Sequence, residues 1–209
     1  MRKVFYQLGR ILIMLLIIPF ICGCAVRFQK RLPQDVKTIQ QLNEELEEMN
    51  RTMALLRQQL RKEIARGDVT VTEQDRGIVV TFVAEVLFNS GKAKIKDEGL
   101  QSLNKVASVL KNVDNNISIE GHTDNVPIKY SGWKSNWELS SARALSVLHY
   151  LVNKKGLSPQ RVSATGCGEY RPIASNETAK GRQQNRRVEI IVKPHLVKSG
   201  GGSAQQKVK

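Results

Sequence analysis

Five residues with the right types to do chemistry lie close together in "IEGHTDNVPIKYSGWKSNWELSSARAL", residues 119–145: His122, Asp124, Ser140, Ser141 and Arg143. A nucleophilic hydrolase needs a serine held against a histidine that a carboxylate orients, usually beside an oxyanion hole. His122 and Asp124 are two residues apart and would share a side on an extended segment. However, no G-x-S-x-G elbow is present, and both serines fall inside a helical pattern, where a hydroxyl tends to bond back to its own backbone. No catalytic residue is expected, and His122 reads as a residue that holds a strand end.

Recognition of a zwitterion is the other chemistry these residues offer. Asn136, Leu139, Ser140 and Arg143 are spaced by three, four and seven residues from the first, so they share one helical face. If that face meets the loop carrying Thr123 and Asp124, the carboxylate can take an ammonium while the guanidinium forks onto a carboxylate. Spacing alone leaves the plainer outcome open, a salt bridge between Asp124 and Arg143 that fixes the loop.

The elements that would position these groups follow from periodicity. "VTVTEQDRGIVVTFVAEVLF", from residue 69, predicts a hairpin around "DRG" leading into a long strand. "DEGLQSLNKVASVLKNV" has Leu100, Leu103, Val106, Ala107, Leu110 and Val113 at helical spacing, with Asp97 placed to cap it. "NNISIEG" alternates like a half-buried strand. "SNWE", residues 135–138, is a capping box that opens a helix running to about Lys155, with an apolar stripe of Ala142, Leu145, Leu148 and Val152. A strand near 161–166, a short helix in "SNETAKGRQQ" and a last strand in "NRRVEIIV" complete the order. Alternating strands and crossover helices imply an α/β (α+β) layer, a small mixed sheet with helices packed on one face.

Upstream, residues 34–66 lack Gly until the "RGD" at 66–68, where Gly67 suits a left-handed helix stop. Ile39, Leu42, Leu46, Met49, Met53, Leu56 and Leu60 recur at spacings of three and four, an a/d seam of about three heptads. Two readings are open: a coiled coil joining copies of the chain through residues 39–60, or a single amphipathic helix lying on the globular domain.

The 209 residues carry 33 Lys+Arg against 19 Asp+Glu, a formal charge of +14, which points to a polyanionic neighbour: nucleic acid, a membrane surface or an anionic wall polymer. The N-terminus selects among these. "MRKVFYQLGR" is cationic and residues 11–26, "ILIMLLIIPFICGCAV", are uncharged and apolar, short for a membrane span and right for an export signal. The run ends in "ICGC", which resembles the bacterial lipobox, so residues 1–23 are expected to be removed and Cys24 to be lipidated. An uncleaved inner-membrane anchor is the competing reading. Cleavage before Cys24 leaves 30 Lys+Arg against 19 Asp+Glu, a mature charge of +11. With Cys24 acylated, Cys167 has no intrachain disulfide partner, and His122, His149 and His195 show no ligand spacing. Neither a metal nor a cofactor is expected, and no nucleic-acid partner.

Three segments, "IEGHTDNVPI", "SNWELSSARALSVLHYL" and "VSATGCGEYRPIASNETAKGRQQNRRVEIIV", closely resemble the OmpA-like C-terminal domain shared by outer-membrane proteins, peptidoglycan-associated lipoproteins and flagellar stator proteins of the MotB type. The resemblance covers residues 69–193, and "GHTD", "NxxLSxxRA" and "GRxxNRRVE" in this order are specific to it. It implies non-covalent binding of peptidoglycan through diaminopimelate of the stem peptide, whose free end carries an ammonium and a carboxylate on one carbon. By motif, Asp124 takes the ammonium and Arg143 the carboxylate, with Asn136, Leu139, Thr123 and Asn125 around them. Asn89 and Arg187 are further candidates. The segment between Asp124 and Asn136 is longer than in the lipoprotein branch and looks like the stator branch, with Trp133 and Trp137 added. Cys167 replaces a usual aromatic residue.

The expected organisation is a signal peptide (1–23), a lipidated linker (24–33), a helical spacer (34–66), the OmpA-like domain (69–193) and a disordered tail (194–209). The expected function is a non-catalytic lipoprotein of the outer membrane whose periplasmic domain tethers that membrane to the wall. The alternative is an inner-membrane stator or transport-complex component. Stator proteins relay ions through an aspartate in their membrane helix, and residues 11–26 contain no acid.

Overall fold

The computed structural model describes residues 36–129 and 131–195. The expected signal peptide, Cys24, the linker and nearly all of the tail lie outside the described residues. The described residues fall into two units, one containing residues 36–46 and one containing residues 47–195.

In the first unit the described residues, 36–46, are helical and begin helix α1 (residues 36–59). They carry the first half of the seam, and Ile39, Leu42 and Leu46 are each about half exposed.

The second unit starts within α1 and continues through α2 (Arg61–Ala65), β1 (Val69–Gln74), β2 (Gly77–Val83), α3 (Ala84–Leu87), α4 (Asp97–Leu110), β3 (Ile117–Gly121), α5 (Asn136–His149), β4 (Val162–Gly166), α6 (Ala179–Asn185) and β5 (Arg187–Val192). The second half of the seam belongs here: Leu56 and Leu60 have no exposure and join the core, with Met49 and Met53 packed against it. Burying each leucine stabilises the fold by about 1.5–3 kcal/mol. Gly67, at φ 76°, ends α2 as its left-handed conformation requires, and Asp68 N–H donates back to Glu63 O at 3.0 Å.

The five strands form one mixed sheet in the order β1-β2-β5-β3-β4, with β3 and β4 parallel and every other neighbouring pair antiparallel. Gln74 faces Gly77 across the hairpin turn, as "DRG" predicts. A parallel pair needs a crossover, and α5 supplies it between β3 and β4. One face of the sheet, including Val80, Phe82, Ile117, Ile119, Val188 and Ile190, packs on Leu103, Val106 and Leu110 of α4 and on Ala144 and Val147 of α5.

Two expectations are corrected. Leu145 is 45% exposed, and the buried face of α5 is Leu139, Ser140, Arg143, Ala144 and Val147. The helix is rotated because its inner stripe includes polar residues of the site, which a hydrophobic pattern does not register. Asp97 is the first residue of α4, and the capping position belongs to Lys96, which makes no side-chain cap. Asp97 still lies in the first turn, where its charge favours the positive end of the helix dipole.

Candidate ligand-binding site

The site begins where β3 and β4 end side by side. Gly121 and Gly166 are partners in the parallel register, and α5 lies so close that added Cβ atoms would sit 2.1 Å from Ser140 O and 2.6 Å from Ser141 N. These glycines let the helix approach the strand ends and set Arg143 against the loop after β3. Ser135 caps α5, its hydroxyl accepting from Glu138 N–H at 3.3 Å.

The loop after β3 is held by main-chain bonds: His122 N–H donates to Arg187 O and Thr123 N–H to Gly168 O, both at 2.9 Å. Ser140 donates its hydroxyl to Trp137 O and accepts from Gly168 N–H, each at 3.0 Å. Both ring nitrogens of His122 are buried without a hydrogen bond, so no serine–histidine bond activates a nucleophile. Burial, with Arg187 adding to it, lowers the His122 pKa to about 3, and the ring is neutral at ordinary pH. Its approaches to Glu120 and Glu189, at 3.8 and 3.9 Å, are therefore not ion pairs there.

A cleft of about 520 Å³ opens beside this loop, lined by Thr123 and Asp124 from the loop, Asn136, Leu139 and Arg143 from α5, and Arg186 among others. Asp124 is 7% exposed, and its carboxylate accepts from Arg186 Nη1 at 2.7 Å and from Val126 N–H at 3.1 Å. Arg186 also donates from Nε to Glu85 at 2.7 Å. Burial works against its charge, but the bonds to Asp124 and Glu85 outweigh that and hold its pKa above the ordinary value.

Arg143 is 4% exposed, donates from Nε to Lys92 O at 3.0 Å and lies over the Phe88 ring at 5.2 Å. It makes no ion pair among the described residues. Burial lowers its pKa to about 10, with Glu85 opposing, which leaves it cationic at neutral pH. The Asp124–Arg143 salt bridge that spacing left open is therefore not formed; Asp124 pairs with Arg186, and Arg143 presents its guanidinium to the cleft on a stacked, hydrogen-bonded stem.

Asn136 Nδ2 donates to Asp124 O at 3.3 Å, Val126 O at 3.2 Å and Glu169 at 2.8 Å, tying α5 to the loop. The Thr123 hydroxyl is buried in the cleft wall with no hydrogen bond. Asn125 and Asn89 are exposed and do not line the cleft. Trp133, half-buried, donates its indole N–H to Gly91 O at 2.9 Å and so clamps two loops together.

Arg187 lies elsewhere. Val188 and Ile190 of β5 enter the core, so Arg187 and Glu189 point to the other sheet face, bonded to each other at 2.6 Å. Arg186, one residue earlier at the end of α6, is the arginine of "NRR" that reaches the cleft. A strict period of two starting from the core valine would have assigned it.

On that other face Glu120, His122 and Cys167 bring potential ligand atoms within 4.8 Å of one another. Arg76 and Arg171 bond to Glu120, while Arg76 and Arg187 bond to Glu189. Three guanidiniums already neutralise these carboxylates, so the group is an ion-pair network with no charge left to favour a cation.

Fold and cleft together define a small α/β domain with one lined cleft beside the end of β3. Residues 87–186 match the OmpA family model and form an OmpA family domain. It is 44% identical over 119 residues to "Motility protein B" of Bacillus subtilis, covering 56% of this chain and 46% of that one. It is 37% identical over 136 residues to "Probable lipoprotein YiaD" of Escherichia coli, covering 65% and 60%. The chain thus spans about half the length of the curated relatives it matches. Among solved structures, the cell wall anchor of the T6SS from Pseudomonas aeruginosa superposes with a TM-score of 0.62 at 36% identity, covering 67% of this chain and 97% of that chain.

Proposed function

We propose that this chain binds peptidoglycan without transforming it, gripping the diaminopimelate of the stem peptide and so tethering a membrane to the wall. The observation that carries this reading is that Asp124 and Arg143 are fixed in one cleft without pairing to each other. Asp124 would share its carboxylate between Arg186 and the ligand ammonium, and Arg143 would fork onto the ligand carboxylate. Asn136 and Leu139 shape the wall between them, the Thr123 hydroxyl offers a further hydrogen bond, and Asn125 flanks the rim. The likeness to a cell wall anchor supports the reading. Retention of the detergent-solubilised full chain on purified peptidoglycan tests it; a chain that stays in the supernatant contradicts it.

The anchor belongs to the same proposal. Lipid on Cys24 would hold the outer membrane, because Ala25 is not the aspartate that acts as an inner-membrane retention signal in some bacteria, and the domain would work in the periplasm. Leu56 and Leu60 are buried in the domain core, so only the part of the spacer before them would extend away from the domain. The half-exposed Ile39, Leu42 and Leu46 would serve pairing of two copies.

The identity to Motility protein B favours a second reading, an inner-membrane component of a motor or transport complex. No described helix is long and apolar enough to cross a membrane. Metabolic labelling with palmitate separates the two: incorporation that is lost in Cys24→Ala is expected for the lipoprotein, and an unlabelled chain with an intact N-terminus favours the motor component.

A further inference from the structure

The cleft holds more positive charge than a zwitterion can use. Lys92, Lys129, Arg143, Arg182 and Arg186 line it, against the carboxylates of Glu85 and Asp124. Both carboxylates are bonded to the same residue, Arg186. Arg182 is spent on the carbonyls of Asn176 and Glu177, at 2.8 and 3.0 Å, which leaves its charge uncompensated. Lys92 and Lys129 are exposed and make no ion pair among the described residues. Two hydroxyls in the wall, Thr123 Oγ1 and Ser131 Oγ, are buried without a hydrogen bond.

A ligand end with one ammonium and one carboxylate is neutral, so its binding leaves this excess untouched. The rest of a stem peptide is not neutral: it carries the α-carboxylate of its D-glutamate. Amidation of that group removes one negative charge at almost unchanged shape. Within a cleft walled by protein, opposite charges steer association and add to affinity, and the effect falls with salt.

We propose that the cleft selects stem peptides by amidation state, taking the free glutamate α-carboxylate against Lys92 and Lys129 and discriminating against its amide. The inference rests on the diaminopimelate reading above and adds a second anionic subsite to it.

Calorimetric titration of the detergent-solubilised full chain with two synthetic tripeptides tests it: L-Ala–γ-D-Glu–meso-diaminopimelate and the same peptide with the glutamate α-carboxyl amidated. The diaminopimelate end is identical in both. At low salt the amidated peptide is expected to bind roughly tenfold more weakly, the scale of two or three rim charges. The ratio is expected to shrink towards one in the Lys92→Gln, Lys129→Gln double variant and as salt is raised. Equal affinities for the two peptides overturn the second subsite while leaving the diaminopimelate reading standing. Binding of neither overturns both, and an undiminished ratio in the double variant overturns the assignment to these lysines.

Discussion

Asp124→Ala and Arg143→Ala are each expected to lower retention on purified peptidoglycan by about 100-fold, within the range of roughly 2–5 kcal/mol for truncating one partner of a hydrogen-bonded charge pair. In Asp124→Ala the ligand ammonium loses its counter-charge, and Arg186, still bonded to Glu85, is left as a repelling cation. In Arg143→Ala the ligand carboxylate meets no fork, and the place over Phe88 is vacated. Since that side chain is packed as well as charged, Arg143→Lys is the informative companion: it keeps the charge, loses the bidentate geometry and the Nε bond to Lys92 O, and is expected to recover only part of the binding. Circular dichroism must show the fold intact in each. Undiminished retention in folded variants contradicts the assigned pair.

Gly121→Ala is expected to destabilise the domain by about 3 kcal/mol, at the upper end for an overpacked interior, and to lower Tm by roughly 10 °C. The added Cβ would lie 2.1 Å from Ser140 O, a main-chain atom of α5 that cannot rotate away. The helix must shift, and Arg143 shifts with it, so binding falls alongside stability. Gly132→Ala is the control: a Cβ there meets nothing within 4 Å, and only the positive φ of 79° is strained, at a cost of about 1 kcal/mol. Equal melting temperatures for the two variants would show that α5 can move without cost.

Strands and helices were legible wherever one face is apolar and the other polar. The hairpin, α4, the capping box of α5 and the last strand all follow from period and turn chemistry, as does the mixed sheet. The inner face of α5 was not legible as a stripe, because Ser140 and Arg143 are buried there for the site's sake and displace the apolar pattern. Asp124 and Arg143 were legible as a pair of charges on a strand-end loop and a helix face. Their partners were not: whether Asp124 bonds Arg143 or Arg186 depends on where α6 ends, two residues before β5 begins, and spacing between distant segments does not encode that. The same junction explains Arg187, whose neighbour in "NRR" was the residue facing the cleft. The ion pair between Arg76 and Glu189 joins residues more than a hundred positions apart, beyond any local reading.

In the proposed function the cleft recognises an ammonium and a carboxylate on one carbon. Titrating the full chain with a stem tripeptide ending in meso-diaminopimelate, and with the same peptide ending in L-lysine, tests it most directly. Lysine keeps the ammonium and lacks the carboxylate that Arg143 would hold. The diaminopimelate peptide is expected to bind, and the lysine peptide to bind more weakly by about tenfold or more, since a buried guanidinium left without its partner penalises the wrong ligand. Equal affinity for the two, or no binding of the diaminopimelate peptide, would contradict it.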